Sequence, residues 1–111
     1  AGAADTARSL VAGLRQVDFV PDTVCDGLRA AVGEPNLALL RAAGAEAVVV
    51  ADDATVEAMR LAWQVLKQVV EPSAAIALAA VLAEPARFAG LRVGVVLSGG
   101  NVDLEALPWR G

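Results

Sequence analysis

Residues 93–97, VGVVL, run without a polar break into Ser98, Gly99, Gly100 and Asn101. An unbroken, mostly β-branched run suits a strand buried on both faces, as in a parallel sheet covered by helices. The glycine pair ends the run and lets a ligand or another backbone come close. In open parallel sheets ligands bind beyond the carboxyl ends of the strands, which is where Ser98 falls. The same Ser-Gly-Gly also reads as a strand-to-loop turn in which Ser98 bonds only local backbone.

A second run, AEAVVVA over 45–51, carries three consecutive valines and is the other strand candidate. Between the two, Val56, Met59, Trp63, Leu66 and Val70 recur at spacings of three and four. This is a helical stripe over residues 53–70 with Asp52 or Asp53 as its cap, and Met59 and Trp63 on it read as core. Glu71-Pro72-Ser73 closes that helix and opens another, 73–83, which is apolar nearly all round. Two parallel strands, 46–51 and 93–97, covered by these two helices form an α/β arrangement: an open, mostly parallel sheet of few strands flanked by helices. The crossover is long enough for a right-handed connection.

The remaining segments are shorter. Asp5 is placed to cap the helix TARSLVAGL, which Gly13 stops. Residues 16–23 form an extended connector in which Pro21 disfavours a central strand. Asp22 or Thr23 caps a helix CDGLRAAV, inside which Gly27 costs about 1 kcal/mol against alanine. That cost suggests a late helix start or a close approach to the backbone. Asn36 caps LALLRAAG, which Gly44 ends. Residues 84–92 leave room for one helical turn. Asp103 and Glu105 form the acidic first turn of a terminal helix, and LPWRG is a surface tail or the remnant of an interface. Lys67, the only lysine, can pair with Glu71 one turn on.

The 111 residues allow one domain. The apolar fraction is 57% with only 4% aromatics, above the usual range for soluble domains. So much apolar content on so short a chain suggests packing against further protein or self-association. A net charge of −4 argues against a nucleic-acid partner. With no histidine there is no Ser-His-Asp or Cys-His machinery and no imidazole metal site. The single Cys25 excludes an internal disulfide and is compatible with a reducing cytoplasm. It reads as a small buried residue rather than a reactive thiol, which would need an electropositive, partly exposed setting. The longest apolar run, Ala74 to Ala83, is too short to span a bilayer, and nothing resembles a signal peptide.

Four segments in order, ADTARSL (4–10), DTVCDGLRAAVGEPN (22–36), LKQVVEPSAA (66–75) and VGVVLSGGNVDL (93–104), resemble the fold-type II pyridoxal-phosphate enzymes. The similarity is to the threonine/serine dehydratases and serine racemases, and it covers nearly the whole chain. It implies pyridoxal phosphate as cofactor, held by that family as a Schiff base with a lysine. It implies that Ser98 bonds the pyridine nitrogen, that Gly27 lies beside the ring, and that Glu71 sits near the cofactor. Implied substrates are threonine, serine or another small β-hydroxy amino acid; products are a 2-keto acid and ammonia, or a racemised amino acid. Several members bind a divalent cation, and the matching positions here are the Ala3 carbonyl and the Asp5 carboxylate. A hard cation wants six or more oxygens, so Asp5 stands between ligand and cap. Some racemase-like members bind a nucleotide at positions matched by Lys67 and Asn101.

The family's Ser-x-Lys-x-Arg-Gly motif, its phosphate-binding glycine run and its small lobe have no match in these residues. The resemblance is therefore to the C-terminal part of the large lobe, a partial fold-type II domain. On this reading the chain is a fragment or subunit that is not catalytically complete alone and needs a complementary N-terminal part. The alternative, from another class, is a non-catalytic α/β binding or self-association module built on the same scaffold.

Overall fold

The computed structural model describes residues 2–110. Along them five α-helices follow one another: α1 (Asp5–Ala12), α2 (Glu34–Ala42), α3 (Asp52–Leu61), α4 (Pro72–Ala83) and α5 (Pro85–Phe88). A short 3-10 turn, Asp26–Leu28, lies between α1 and α2, and a π-helical turn, Ala62–Leu66, continues α3. None of the helices among the described residues is long and apolar enough to cross a membrane.

The helix pair α3 and α4 is the centre of the structure. Thr55, Ala58, Met59 and Ala62 face Ala74, Ala75 and Ala79, all buried. Small side chains let the two backbones come close, and Met59 fills what they leave. Around this pair Val70, Leu107, Leu97 and both tryptophans complete one apolar cluster, and Val48 and Val50 join a second. Trp63 and Trp109 meet edge to face at 5.3 Å, and the Trp63 indole N–H donates to the Val70 carbonyl at 2.9 Å. Leu107 and Trp109 therefore belong to the core, and this stretch is not a surface tail.

The expected sheet is not seen. Among the described residues no strand is present, and 46–51 and 93–97 belong to no ladder. A strand is made by a ladder of hydrogen bonds with its neighbour, and among the described residues no ladder joins the two runs. What they share is the helix pair: Val48 and Val50 pack in the cluster of Ala58 and Ala79, Leu97 in that of Met59. Val49 and Val96 point the other way and are exposed.

Other expectations change with the geometry. The 53–70 helix leaves α register at Leu61 and ends at Lys67, whose φ of 56° is left-handed. Lys67 Nζ then donates to the Gln64 carbonyl at 2.7 Å, and among the described residues no Lys67–Glu71 pair forms. CDGLRAAV folds as the single turn Asp26–Leu28, not a helix. The acidic 103–105 stretch is also a turn, in which Asp103 accepts from the Glu105 N–H at 2.9 Å. The cap positions of α1 and α3 are Ala4 and Ala51, with no side-chain bond, and α2 starts before Asn36. Gly13 and Gly44, at φ of 72° and 64°, do end α1 and α2.

Candidate functional site around the start of α4

Pro72 opens α4 at its first position, where a missing N–H costs nothing. Glu71 just before it has extended backbone at φ −86° and ψ 165°, so the chain turns a corner there. The Ser-Gly-Gly loop is fastened to this corner: the Glu71 N–H donates to the Gly99 carbonyl at 3.0 Å. The fit is close. A Cβ on Gly99 would overlap Glu71 Oε1, and one on Gly100 would lie 2.6 Å from the Val69 carbonyl oxygen. Close approach, not left-handed backbone, favours glycine at both positions, strictly at Gly100 against a backbone carbonyl and less so at Gly99 against the movable end of Glu71. The Glu71 carboxylate stands at the positive end of α4, where negative charge is favoured.

The Gly27 turn reaches the same corner from the other side. The Gly27 N–H donates to Ser73 Oγ at 3.0 Å, and the Ser73 hydroxyl donates to Asp26 Oδ1 at 3.3 Å. The turn is fixed at its root by Asp52. One Asp52 oxygen accepts from the Thr23 hydroxyl and the other from the Val24 N–H, both at 2.7 Å. Thr23 in turn accepts from the Cys25 N–H at 3.1 Å. Cys25 is fully buried, and burial pushes its thiol up against a smaller opposing pull from the Thr23 hydrogen bond. It is a packing residue.

The start of α4 thus brings Gly27, Glu71 and the Ser98 loop together from three distant stretches. Ser98 is exposed, and among the described residues its hydroxyl has no hydrogen-bond partner. It does not bond local backbone as in the turn reading. Ser73, Asp26, Thr23 and Asp52 were not singled out from the sequence as site residues. The available signal was the Asp-Gly pair at 26–27 and a serine in the first turn of α4.

Ala3, Asp5 and Gly27 line one cavity of about 410 Å³, with residues 46–50 on its far wall. Asp5 is 3% exposed, and its Oδ2 accepts from the Val32 N–H at 2.8 Å. This fastens the 29–33 loop, whose Val32 carbonyl also takes Arg15 Nε at 2.6 Å. No group of three or more His, Cys, Asp or Glu that could hold a metal occurs among the described residues. Asn101 lines a separate cavity of about 320 Å³ together with Asp26 and Asp103. Two carboxylates there oppose the phosphates of a nucleotide.

Comparison with known proteins covers these same segments. A family model described as pyridoxal-phosphate dependent enzyme matches residues 1–99. The beta-hydroxyaspartate dehydratase of Paracoccus denitrificans (strain Pd 1222) is 43% identical over 106 residues, covering 96% of this chain and 34% of that protein. The serine racemase of Arabidopsis thaliana is 41% identical over 111 residues, covering 96% and 34%. Among solved structures, maize serine racemase superposes with a TM-score of 0.86 at 38% identity, over 94% of this chain and 33% of that one. A threonine deaminase from T.th. gives 0.79 at 39% identity, over 92% and 38%. The chain spans about a third of the length of the curated relatives it matches.

Proposed function

The chain belongs to the pyridoxal-phosphate dependent enzyme family, and from that premise we propose that it is the C-terminal section or subunit of a dehydratase- or racemase-like enzyme. Its substrate is a small β-hydroxy amino acid such as serine or threonine. The reaction is loss of the hydroxyl to give a 2-keto acid and ammonia, or inversion at Cα. The observation that carries this reading is the closure of Gly27, Glu71 and the Ser-Gly-Gly loop around one helix start. Identities of 41–43% to a serine racemase and a beta-hydroxyaspartate dehydratase support the substrate class.

The residues present fit one edge of the cofactor. Ser98 offers a hydroxyl free to bond a ring nitrogen, and Gly27 brings its backbone to the same corner, its Cβ position facing Ser73. Glu71 adds a carboxylate at the same corner. Pyridoxal phosphate, when bound, supplies an electron sink for charge developing at the substrate Cα. A hydroxyl at Ser98, unlike a carboxylate, does not hold the ring nitrogen protonated. This weakens the sink and suits elimination of a β-hydroxyl group. Lys67 does not support an anchoring role: it terminates the π-helical turn with a left-handed backbone, and its Nζ folds back to donate to the Gln64 carbonyl of the same turn. The anchoring lysine and the phosphate cradle belong, on this reading, to a complementary N-terminal part. The Asp5 carboxylate and Ala3 carbonyl, on one cavity wall, are offered as two ligands of a divalent cation completed by that part.

The test is reconstitution. Mixing this chain with the complementary N-terminal part should restore 2-keto acid production from serine or threonine, and Ser98→Ala should reduce it. No recovery with both parts folded rejects the reading. A pyridoxal-phosphate titration of the chain alone, repeated with Lys67→Ala, should give no lysine-dependent absorbance band. Exposed Val11, Val20 and Val96, at 91%, 90% and 76%, favour a second reading. In it the scaffold serves as a non-catalytic association module, and reconstitution would then give a complex without activity.

A further inference from the structure

The contacts of Ser73 are more specific than a helix start requires. Its hydroxyl faces two partners on one distant turn, accepting from the Gly27 N–H at 3.0 Å and donating to Asp26 Oδ1 at 3.3 Å. These residues lie 46 and 47 positions away in sequence. A hydroxyl can do both at once because it carries one donor and two acceptor lone pairs. The Asp26 carboxylate only accepts, so it receives the Ser73 O–H hydrogen bond and leaves the oxygen lone pairs to the Gly27 N–H. The approach is tight enough that a Cβ on Gly27 would lie 3.0 Å from Ser73 Oγ and 3.2 Å from Ser73 Cβ. Two positions before Ser73, the Glu71 N–H holds Gly99. Pro72 stiffens the link between them.

We propose that Ser73 is a positioning residue: its hydroxyl latches the Gly27 turn to the first turn of α4 and so sets the distance between Gly27 and the Glu71–Gly99 corner. The proposal rests on the reading of Gly27, Glu71 and Ser98 as the cofactor-side residues. It adds the group that keeps them in register. Asp52 anchors the root of the turn through Thr23 and Val24; Ser73 holds its tip. With the latch absent, the root stays in place and the tip is free to swing away from α4. Alanine at 73 keeps the helix, since alanine is the best helix former. Threonine keeps the hydroxyl.

The first arm measures amide exchange of the full chain by NMR in wild type, Ser73→Ala and Ser73→Thr. The alanine variant should accelerate exchange at Gly27 by about three- to tenfold, the factor an ordinary net hydrogen bond is worth. Exchange at Val32 and Glu71 should stay unchanged, and threonine should restore Gly27. Unchanged Gly27 exchange in a folded alanine variant overturns the latch. Equal acceleration at all three amides overturns it too, because it marks a serine that only stabilises the fold. The second arm uses the assembly of this chain with the complementary N-terminal part and pyridoxal phosphate as the probe. Ser73→Ala should weaken cofactor binding several-fold and Ser73→Thr should recover it, with Tm held. Equal affinity in wild type and alanine variant overturns the positioning role. An assembly in which wild type binds no pyridoxal phosphate defeats the cofactor reading instead, and the exchange arm still decides the latch.

Discussion

At the scale of single residues, the two glycines of the Ser-Gly-Gly loop are not equivalent. The neighbour that Gly99 would strike is the end of the Glu71 side chain, which can rotate away; the neighbour of Gly100 is the Val69 backbone carbonyl. Gly100→Ala is therefore expected to lose about 1–3 kcal/mol as an overpacked site, and Gly99→Ala much less. Urea denaturation of the two variants checks the order, and equal losses would contradict it. Gly99→Ala should instead act through Glu71, lowering activity of the reconstituted enzyme more than stability. Cys25 gives a pH dependence. Its thiol is raised by burial in the folded chain, so the folded state keeps a proton that the unfolded state releases. The stability is full below the unfolded value and falls as pH rises through the alkaline range toward the folded one. Cys25→Ala should flatten that alkaline decline in denaturation curves, and thiol reagents should label wild type only as it unfolds.

Among the elements, α3 is the one whose end the sequence conceals. Its apolar stripe continues through Trp63, Leu66 and Val70 as though one helix ran to Glu71. The chain instead passes through a π-helical turn and stops at Lys67, and it does so for tertiary reasons. The Trp63 indole N–H takes the Val70 carbonyl, and Trp109 packs on Trp63 from the end of the chain. Neither partner is visible in a local pattern, and the stop uses a lysine where glycine is usual. Lys67 in the left-handed region carries a cost of roughly 1–2 kcal/mol that glycine does not. Lys67→Gly should leave thermal stability unchanged or raise it, because part of the relief is offset by greater freedom in the unfolded chain. Lys67→Val, β-branched at positive φ, should lower it by about 1–2 kcal/mol. A stable valine variant would mean that this turn can re-form as α-helix. By contrast the start of α4 was legible, because Pro72 fixes it. So were the ends at Gly13 and Gly44. Ser98 and Gly27 stand out from the residues alone, as a serine just past an apolar run and a costly glycine, whereas the proposed cofactor-side role of Gly27, Glu71 and Ser98 comes only from the family resemblance. Their meeting point was not legible, because it is made by Ser73 and Asp52 bonding across more than 25 residues.

For the whole molecule, the accessible surface bears on how the missing sheet should be understood. The chain exposes 7207 Å², whereas a compact monomer of 11.3 kDa is expected to expose about 5,700 Å². The excess, roughly 1,500 Å², exceeds the ~800 Å² that one partner contributes to an ordinary stable interface. The shape agrees: principal extents of 39 × 36 × 19 Å describe a slab about two layers thick. Val49 and Val96 lie on runs whose opposite sides pack on α3 and α4; on their own side Val96 is exposed, and Val49 is half-exposed in a pocket it shares with Ala7 and Val11 of α1. A continuous apolar run suits cover on both sides, and the relatives are about three times as long. The Val49 and Val96 side is thus where further protein belongs on the proposed reading. Two measurements follow. The chain alone should bind a hydrophobic dye and sediment with concentration-dependent association, both suppressed by the Val49→Lys, Val96→Lys double variant with helix content retained. The same double variant should fail to assemble with the complementary N-terminal part. If it assembles as well as wild type, the two runs are not the docking side and the exposed valines of α1 and the 16–23 connector become the surface to account for.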